Sequence, residues 1–202
     1  MEHSLKRIKI GLVCLFLAGI SSAHALEASS PAILKPSPEQ VEAAHLTAEF
    51  LTRFHYRPIA LDDALSVRIM NRFIDSLDPD RLIFLQADVD KFLTGNKEID
   101  DAIERQDLTI PFTIFNTYQM RIIERMTFAR SLLKQGFDFS KQEDFAIVRD
   151  KAPWPRSTEE SDDLWRKRVK NDWLRLKLAG KDDATIRKTL DKRYENSIER
   201  TF

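Results

Sequence analysis

The feature that most constrains this fold is the spacing of its apolar residues, which recur every three or four positions along most of the chain. The longest such run places one face of a helix between residues 109 and 135: Phe115, Tyr118, Ile122, Met126, Ala129 and Leu133. No segment keeps the alternation that is typical of a strand. Beyond residue 25, glycine occurs only where a predicted helix ends, at Gly95, Gly136 and Gly180. The pattern therefore predicts an all-α domain.

We expect six to eight helices, bounded by capping signals. Ser37 can cap the first helix, with Pro38 in its first turn, and this helix should end near His55. The second should run from residue 62 to 77, and 81–85 should form a single helical turn. The others are predicted at 86–93, 97–105, 109–135, 158–179 and from 182 onward. Residues 137–155 keep no period, and we expect an ordered loop held by its aromatic side chains.

The apolar stripes of the shorter helices are also predicted. In the first helix the stripe is Val41, Ala44, Ala48 and Leu51, and in the second it is Leu65, Ile69 and Phe73, with Met70, Ile74 and Leu77 beside it. The helix after residue 157 shows Trp165, Val169, Trp173 and Leu176. The last helix repeats Ile186, Leu190, Tyr194 and Ile198 with no stop signal, so we expect it to be unfinished and its stripe to lack cover.

The first 25 residues have the organisation of a signal peptide. Basic residues precede an apolar run, residues 10–20, that is too short to span a bilayer. Small residues follow in the pattern Ala23-His24-Ala25, which predicts cleavage after Ala25 and export to the periplasm. The alternative is an uncleaved anchor. Residues 26–37 then form a flexible leader, and Cys14, the sole cysteine, is removed with the signal, so the mature part has no disulfide.

Composition excludes some partners. The 32 basic and 32 acidic residues balance, which argues against binding to nucleic acid or to an anionic membrane surface. After signal cleavage we expect no membrane span.

Residues that could support catalysis or ligand binding are few, and each has a simpler explanation. The candidates are a Ser131 and Lys134 pair, Ser66 and Ser76 in predicted helices, His45 and His55, the acidic cluster Asp78, Asp80, Asp88 and Asp90, and a tryptophan-lined pocket of Trp154, Trp165 and Trp173. The serines lack a glycine-rich turn, and the histidines lack the i, i+4 spacing of a metal site. The acidic cluster lacks the glycine and glutamate of a calcium loop, so helix caps and surface charge explain it. Core packing explains the tryptophans. We therefore predict no catalytic, cofactor-binding or metal-binding residue.

Several segments, in order, resemble the N-terminal domain of tail-specific proteases, the periplasmic carboxy-terminal processing serine peptidases. The most specific is Lys151-Ala152-Pro153-Trp154-Pro155 followed by Leu164-Trp165. Others are His55-Tyr56-Arg57, Leu61-Asp62 with Ser66, Phe73, Leu77-Asp78-Pro79, Phe84-Leu85, Asp88-Val89, Arg168 with Lys170, residues 174–178 and Lys192-Arg193-Tyr194. The resemblance covers nearly all of residues 40–200.

This resemblance implies a function. In the family, the helical domain precedes a PDZ domain, which grips substrate C-termini, and a core with a serine-lysine dyad; neither has a counterpart here. We therefore expect residues 38–202 to be a non-catalytic scaffold domain, incomplete at its C-terminal end and inactive alone. Its partners would be the PDZ and protease domains of the full-length enzyme, a periplasmic adaptor protein and, indirectly, protein substrates. The alternative is a free-standing helical adaptor.

Overall fold

A computed structural model describes residues 31–57 and 59–202. The predicted signal peptide and its cleavage site lie outside the described residues. The described part of the chain forms seven helices and no strand, which confirms the all-α prediction. They are α1 (Pro38–Arg53), α2 (Asp63–Leu77), α3 (Gln86–Leu93), α4 (Ile99–Glu104), α5 (Thr109–Gln135), α6 (Thr158–Leu178) and α7 (Asp183–Glu199).

The predicted cap at Ser37 is present, and Ser157 caps α6 in the same way. The Ser37 hydroxyl accepts the Gln40 N–H, and the Gln40 side chain accepts the Ser37 N–H at 2.9 Å, so each residue satisfies a free amide of the other. At α6 the Ser157 hydroxyl accepts the Glu160 N–H at 3.2 Å. The Glu160 carboxylate accepts the N–H of Arg156, one residue before Ser157.

Helix α5 is the central element. Its 27 residues extend about 40 Å, long enough to take part in two separate cores. Its C-terminal part packs with α6 and α7 in the C-terminal core: Leu82, Ile122, Met126, Ala129, Leu133, Trp165, Val169, Trp173, Ile186, Leu190 and Tyr194. Its N-terminal part closes the N-terminal core, formed by Met70, Ile74, Phe84, Val89, Phe92, Ile99 and Ile114. Tyr118 packs against both cores.

The apolar stripe of the last helix differs from our expectation, whereas the incompleteness of the domain at its C-terminal end stays a prediction. Helix α7 ends at Glu199, where a turn at residues 200–201 follows it. Ile186, Leu190 and Tyr194 are buried, and Ile198 packs against the C-terminal core. The stripe therefore finds its cover on α5 and α6, and the expected uncovered apolar face is absent from the described residues.

The stripe of α2 is displaced by one position, and Ile69 is 37% exposed. In α2 the buried face passes through Ser66, Met70 and Ile74, and the Ser66 hydroxyl, which bonds to Asp100 of α4, is satisfied there. In α1, Val41, Ala44 and Ala48 are half-buried as predicted, and only Leu51 departs, with 48% exposure. The predicted turn at 81–85 is wrong, since these residues form an irregular loop.

The long loop between α5 and α6 is held at its ends, as its aromatic content predicted. Phe137 packs edge-on against Trp173, with ring centroids 5.8 Å apart. At the other end the buried Pro155 accepts the N–H of Gln86, at the start of α3, at 2.8 Å. Between these anchors Phe139, Ile147 and Val148 are exposed, the last two most strongly.

An ion cluster holds the middle of this loop against α6. The Glu143 carboxylate accepts hydrogen bonds from Arg166 and from the Lys170 ammonium, the latter at 2.6 Å. The bond from Arg166 and then the bond from Lys170 are the main causes that lower the pKa of Glu143 to about 2. A lowered carboxylate pKa stabilises the fold above the unfolded value near 4.5, so this contact weakens only as the pH falls from about 4.5 toward 2.

None of the helices in the described residues combines the length and the apolar character needed to cross a bilayer.

Candidate functional site

The serine candidates make ordinary structural bonds. On α5 the exposed Ser131 donates its hydroxyl to the Phe128 carbonyl at 2.7 Å, and no hydrogen bond joins it to Lys134 within the described residues. Ser76 donates likewise to the Phe73 carbonyl. The buried Ser66 donates to Asp100 Oδ1 and accepts the Asp100 N–H, both at 2.9 Å, which ties α2 to α4. These bonds direct the hydroxyls to the backbone and to a carboxylate. That the chain carries no catalytic residue stays a prediction.

The histidines and the acidic cluster do not converge. His45 Nδ1 lies 3.3 Å from the Ile103 carbonyl oxygen, whereas His55 Nδ1 contacts its own neighbour Arg57. Asp88 forms a two-point ion pair with Arg121, and Asp90 accepts a bond from Gln86. Among the described residues no three His, Cys, Asp or Glu side chains are grouped as metal ligands. The absence of a metal site in the whole chain is therefore a prediction that stands untested.

Asp78 departs from the surface role that we expected for the acidic cluster. It follows α2 directly, it is 2% exposed, and its carboxylate accepts four hydrogen bonds. Three come from consecutive backbone amides, those of Leu82, Ile83 and Phe84, at 2.8 to 3.0 Å. The fourth comes from Trp154 Nε1 at 3.1 Å. A buried carboxylate is tolerated only when donors surround it, and here they do.

This carboxylate sets the direction of the loop that separates the two cores. Because the three amides all donate to the Asp78 carboxylate, the loop is held so that Leu82 enters the C-terminal core and Phe84 enters the N-terminal core. Trp165 then donates its indole N–H to the Leu82 carbonyl at 2.7 Å. We name this set of contacts the Asp78 junction, and it joins α2, α6 and the long loop to one another.

Arg81 extends the junction toward the long loop. Its backbone has a φ of 53°, a left-handed conformation that is unusual for a residue with a side chain. The guanidinium donates to the Ala152 carbonyl at 2.8 Å and stacks over the Trp154 ring, 4.2 Å from its centroid. These two contacts help to offset the backbone strain of about 1 kcal/mol or more.

The three tryptophans do not converge on one pocket. Trp165 and Trp173 belong to the C-terminal core, and Trp154 packs against the N-terminal core while bonding to Asp78. The expectation of core packing is therefore confirmed for all three.

The surface that most suggests an interaction is the outer face of α1. This helix has no fully buried residue, and its main neighbour is the short helix α4. Large apolar side chains line the side away from α4: Leu46 at 53% exposure, Phe50 at 61% and Phe54 at 72%. Phe50 and Phe54 contact one another, with ring centroids 5.9 Å apart. An exposed row of this kind is typical of a surface that binds another protein surface.

Sequence analysis missed this surface because the period of α1 fits either face. Its apolar residues occupy two sides of the helix, and small alanines, not the large side chains, face α4. A strong capping box also gives α1 local stability with little burial. The sign that could have revealed it is the presence of Phe50 and Phe54 four residues apart, opposite the predicted stripe.

Replacing Asp78 by Ala should destabilise the chain by about 3 kcal/mol or more, since each buried donor left without an acceptor costs about 1–3 kcal/mol. Asp78→Asn should cost less, because one acceptor oxygen remains. Urea unfolding followed by tryptophan fluorescence gives both values. The control is Asp80→Ala, which removes an exposed carboxylate two residues away and should change stability by less than about 0.5 kcal/mol. Equal stabilities for the Asp78→Ala and Asp80→Ala chains would contradict the assigned role.

A family model and a related protein both match this chain, and both point to the same family. Residues 47–202 match the family described as the tail specific protease N-terminal domain. A relative named tail-specific protease, from Haemophilus influenzae, is 38% identical over 174 residues. That alignment covers 85% of this chain but 24% of the relative, so the chain spans about a quarter of the length of the curated protein that it matches.

The matched region contains α2 to α7, the Asp78 junction and the C-terminal part of α1. The chain therefore belongs to the family of tail-specific protease N-terminal domains.

Proposed function

We propose that this chain is the non-catalytic helical scaffold of a periplasmic tail-specific serine protease that degrades or trims proteins from their C-termini. The observation that carries the proposal is the family match over residues 47–202, combined with an alignment that covers only 24% of the related protease. The serines of this chain that we weighed as nucleophiles bond to helix backbone or to Asp100, which is what a structural domain requires.

The fold suits a supporting role. The Asp78 junction and the ion pairs of Arg121 and Glu143 fix the loops against the helices, so the domain can present a surface of constant shape. In the full-length enzyme this surface would form part of the enclosure around the substrate and would support the PDZ and catalytic domains.

The face of α1 formed by Leu46, Phe50 and Phe54 is the surface that we assign to contact with the rest of the protease. Each of these side chains is more than half exposed, and burying one of them is worth about 1.5 to 3 kcal/mol. A chain that corresponds to a quarter of its relative leaves ample protein to cover the row. A free-standing adaptor would use the same face for a separate partner, and the DNA beyond codon 202 distinguishes the two.

The proposed location rests on the sequence. The signal peptide predicted at residues 1–25 supports export to the periplasm, where a protease of this family would meet its substrates.

A chimera tests the scaffold role. Residues 47–202 replace the matching segment of the Haemophilus influenzae protease, and cleavage of a reporter with an apolar C-terminal tail is measured. We expect the chimera to cleave the reporter and this chain alone to leave it intact. The chimera with both Phe50→Asp and Phe54→Asp should cleave at least about tenfold more slowly, because the new carboxylates would lose their hydration where α1 contacts the rest of the protease.

The matched control is Val148→Asp, which places a charge on an apolar side chain that is 80% exposed in the long loop. It should cleave like the unaltered chimera. Hydrolysis by this chain alone, abolished by changing one of its own serines, would refute the non-catalytic role. An inactive chimera that is correctly folded would refute the scaffold role.

Export is tested separately. Mass spectrometry of a periplasmic extract should find a mature N-terminus at Leu26, because cleavage after Ala25 fits the small-residue pattern. Intact Met1 in the cytoplasmic fraction would rule out the proposed location.

A further inference from the structure

One face of α5 already holds an extended segment of this chain. Residues 31–37 run without helical structure, and Leu34 lies against Asn116. The Leu34 N–H donates to Asn116 Oδ1 at 2.9 Å, and Asn116 Nδ2 donates to the Leu34 carbonyl at 2.9 Å. A single side-chain amide thus pairs with both polar groups of one residue, as a neighbouring strand would. Such a contact recognises extended backbone and does not depend on the side chain.

The segment is weakly held. Ile33 is 77% exposed and Leu34 is 40% exposed, so little apolar area is buried by the contact. Both hydrogen bonds are exposed to solvent, where bonds of this kind contribute little. Residues 31–35, which we name the strap, can therefore be displaced by a segment that fits better.

The site also has unused capacity. An open cavity of about 450 Å³ lies between the strap and α5, lined on the helix side by Thr113, Asn116, Thr117, Gln119 and Met120. Gln119 is 2% exposed, and its Nε2 donates to the Thr201 carbonyl. Its Oε1 is buried and receives no hydrogen bond from the described residues. A buried acceptor without a donor is unfavourable, so an occupant that supplies an N–H would gain by binding.

The chemistry of the lining selects the occupant. No charged side chain lines the cavity in the described part of the chain; hydroxyl, amide, thioether and alkyl groups do. This composition suits polypeptide backbone with small or apolar side chains and disfavours a charged segment, which would lose its hydration. The strap residues that line the cavity, Pro31, Ala32 and Ile33, carry no charge and show the type of segment that the groove accepts, whereas Lys35 is outside the lining.

We infer that the α5 face around Asn116 is a binding site for an extended, uncharged segment of another polypeptide, with the strap as its displaceable internal occupant. The strap precedes the residues that match the family, so the inference does not rest on the proposed function. Because the strap is tethered, it competes at an effective concentration in the millimolar range, and a free peptide binds well only when the strap is released.

The test uses the 202-residue chain and a fluorescent peptide with the sequence of residues 30–36, followed by fluorescence anisotropy. Leu34→Pro releases the strap, since proline has no N–H to donate to Asn116 yet keeps an extended backbone. We expect this variant to bind the peptide at least about tenfold more tightly than the unaltered chain, where the strap competes.

Two further arms identify the contact. In the Leu34→Pro chain, Asn116→Ala should weaken peptide binding at least about tenfold, whereas Asn71→Ala, which removes an exposed amide from α2, should leave it unchanged. A peptide N-methylated at its leucine should bind at least about tenfold more weakly to the Leu34→Pro chain, an arm that holds even if Asn116→Ala misfolds. Absence of peptide binding, equal binding with and without the strap contact, or equal binding of the methylated peptide would each overturn the inference.

Discussion

The rest of this structure depends on one buried carboxylate. Asp78 sits at the end of α2 with almost no exposure, so its charge requires donors, and the chain supplies them as three successive amides and one indole N–H. This requirement fixes the loop that follows. Since Leu82 and Phe84 are two residues apart and enter different cores, the same carboxylate sets the position of both cores relative to α2. The packing of the helices therefore depends on the hydrogen bonds of the Asp78 carboxylate as well as on the burial of apolar side chains.

Burial is distributed unevenly around that point. Helices α5, α6 and α7 share a continuous core, in which burial raises the pKa of the Tyr194 hydroxyl, with the neighbouring Asp172 as the next cause. Helix α1 lies at the other extreme, with good caps and no buried residue. This gradient fits a domain whose stable part is self-contained and whose outer helix makes contacts elsewhere. Stability and interaction thus occupy different elements, and a change to the face of α1 need not disturb the cores.

The sequence predicted well those features that depend on local periodicity. The stripes of α5, α6 and α7 were right because each of these helices buries one broad face against two neighbours. The role of Asp78 was missed because Asp-Pro after a helix indicates a stop, and the period does not reveal that three amides of the following loop and one distant indole N–H meet there. The irregular 81–85 loop follows from the same cause. The contact between Leu34 and Asn116 joins residues 82 positions apart through one amide, and no local pattern indicates such a pairing. The prediction of site residues was limited in the same way, because the exposure and the hydrogen-bond partners of a side chain decide its chemical role and the sequence shows neither.

The most direct test of this account is native-state hydrogen exchange on the chain. If the Asp78 junction makes the two cores one cooperative unit, the central amides of α2, such as those of Met70 and Ile74, should exchange through the same global opening as those of Leu190 and Tyr194 in α7. Equal opening free energies with equal urea dependence are the predicted result. A separate opening of α2 at lower free energy, with Asp78 intact, would show that the cores unfold independently and would contradict the account.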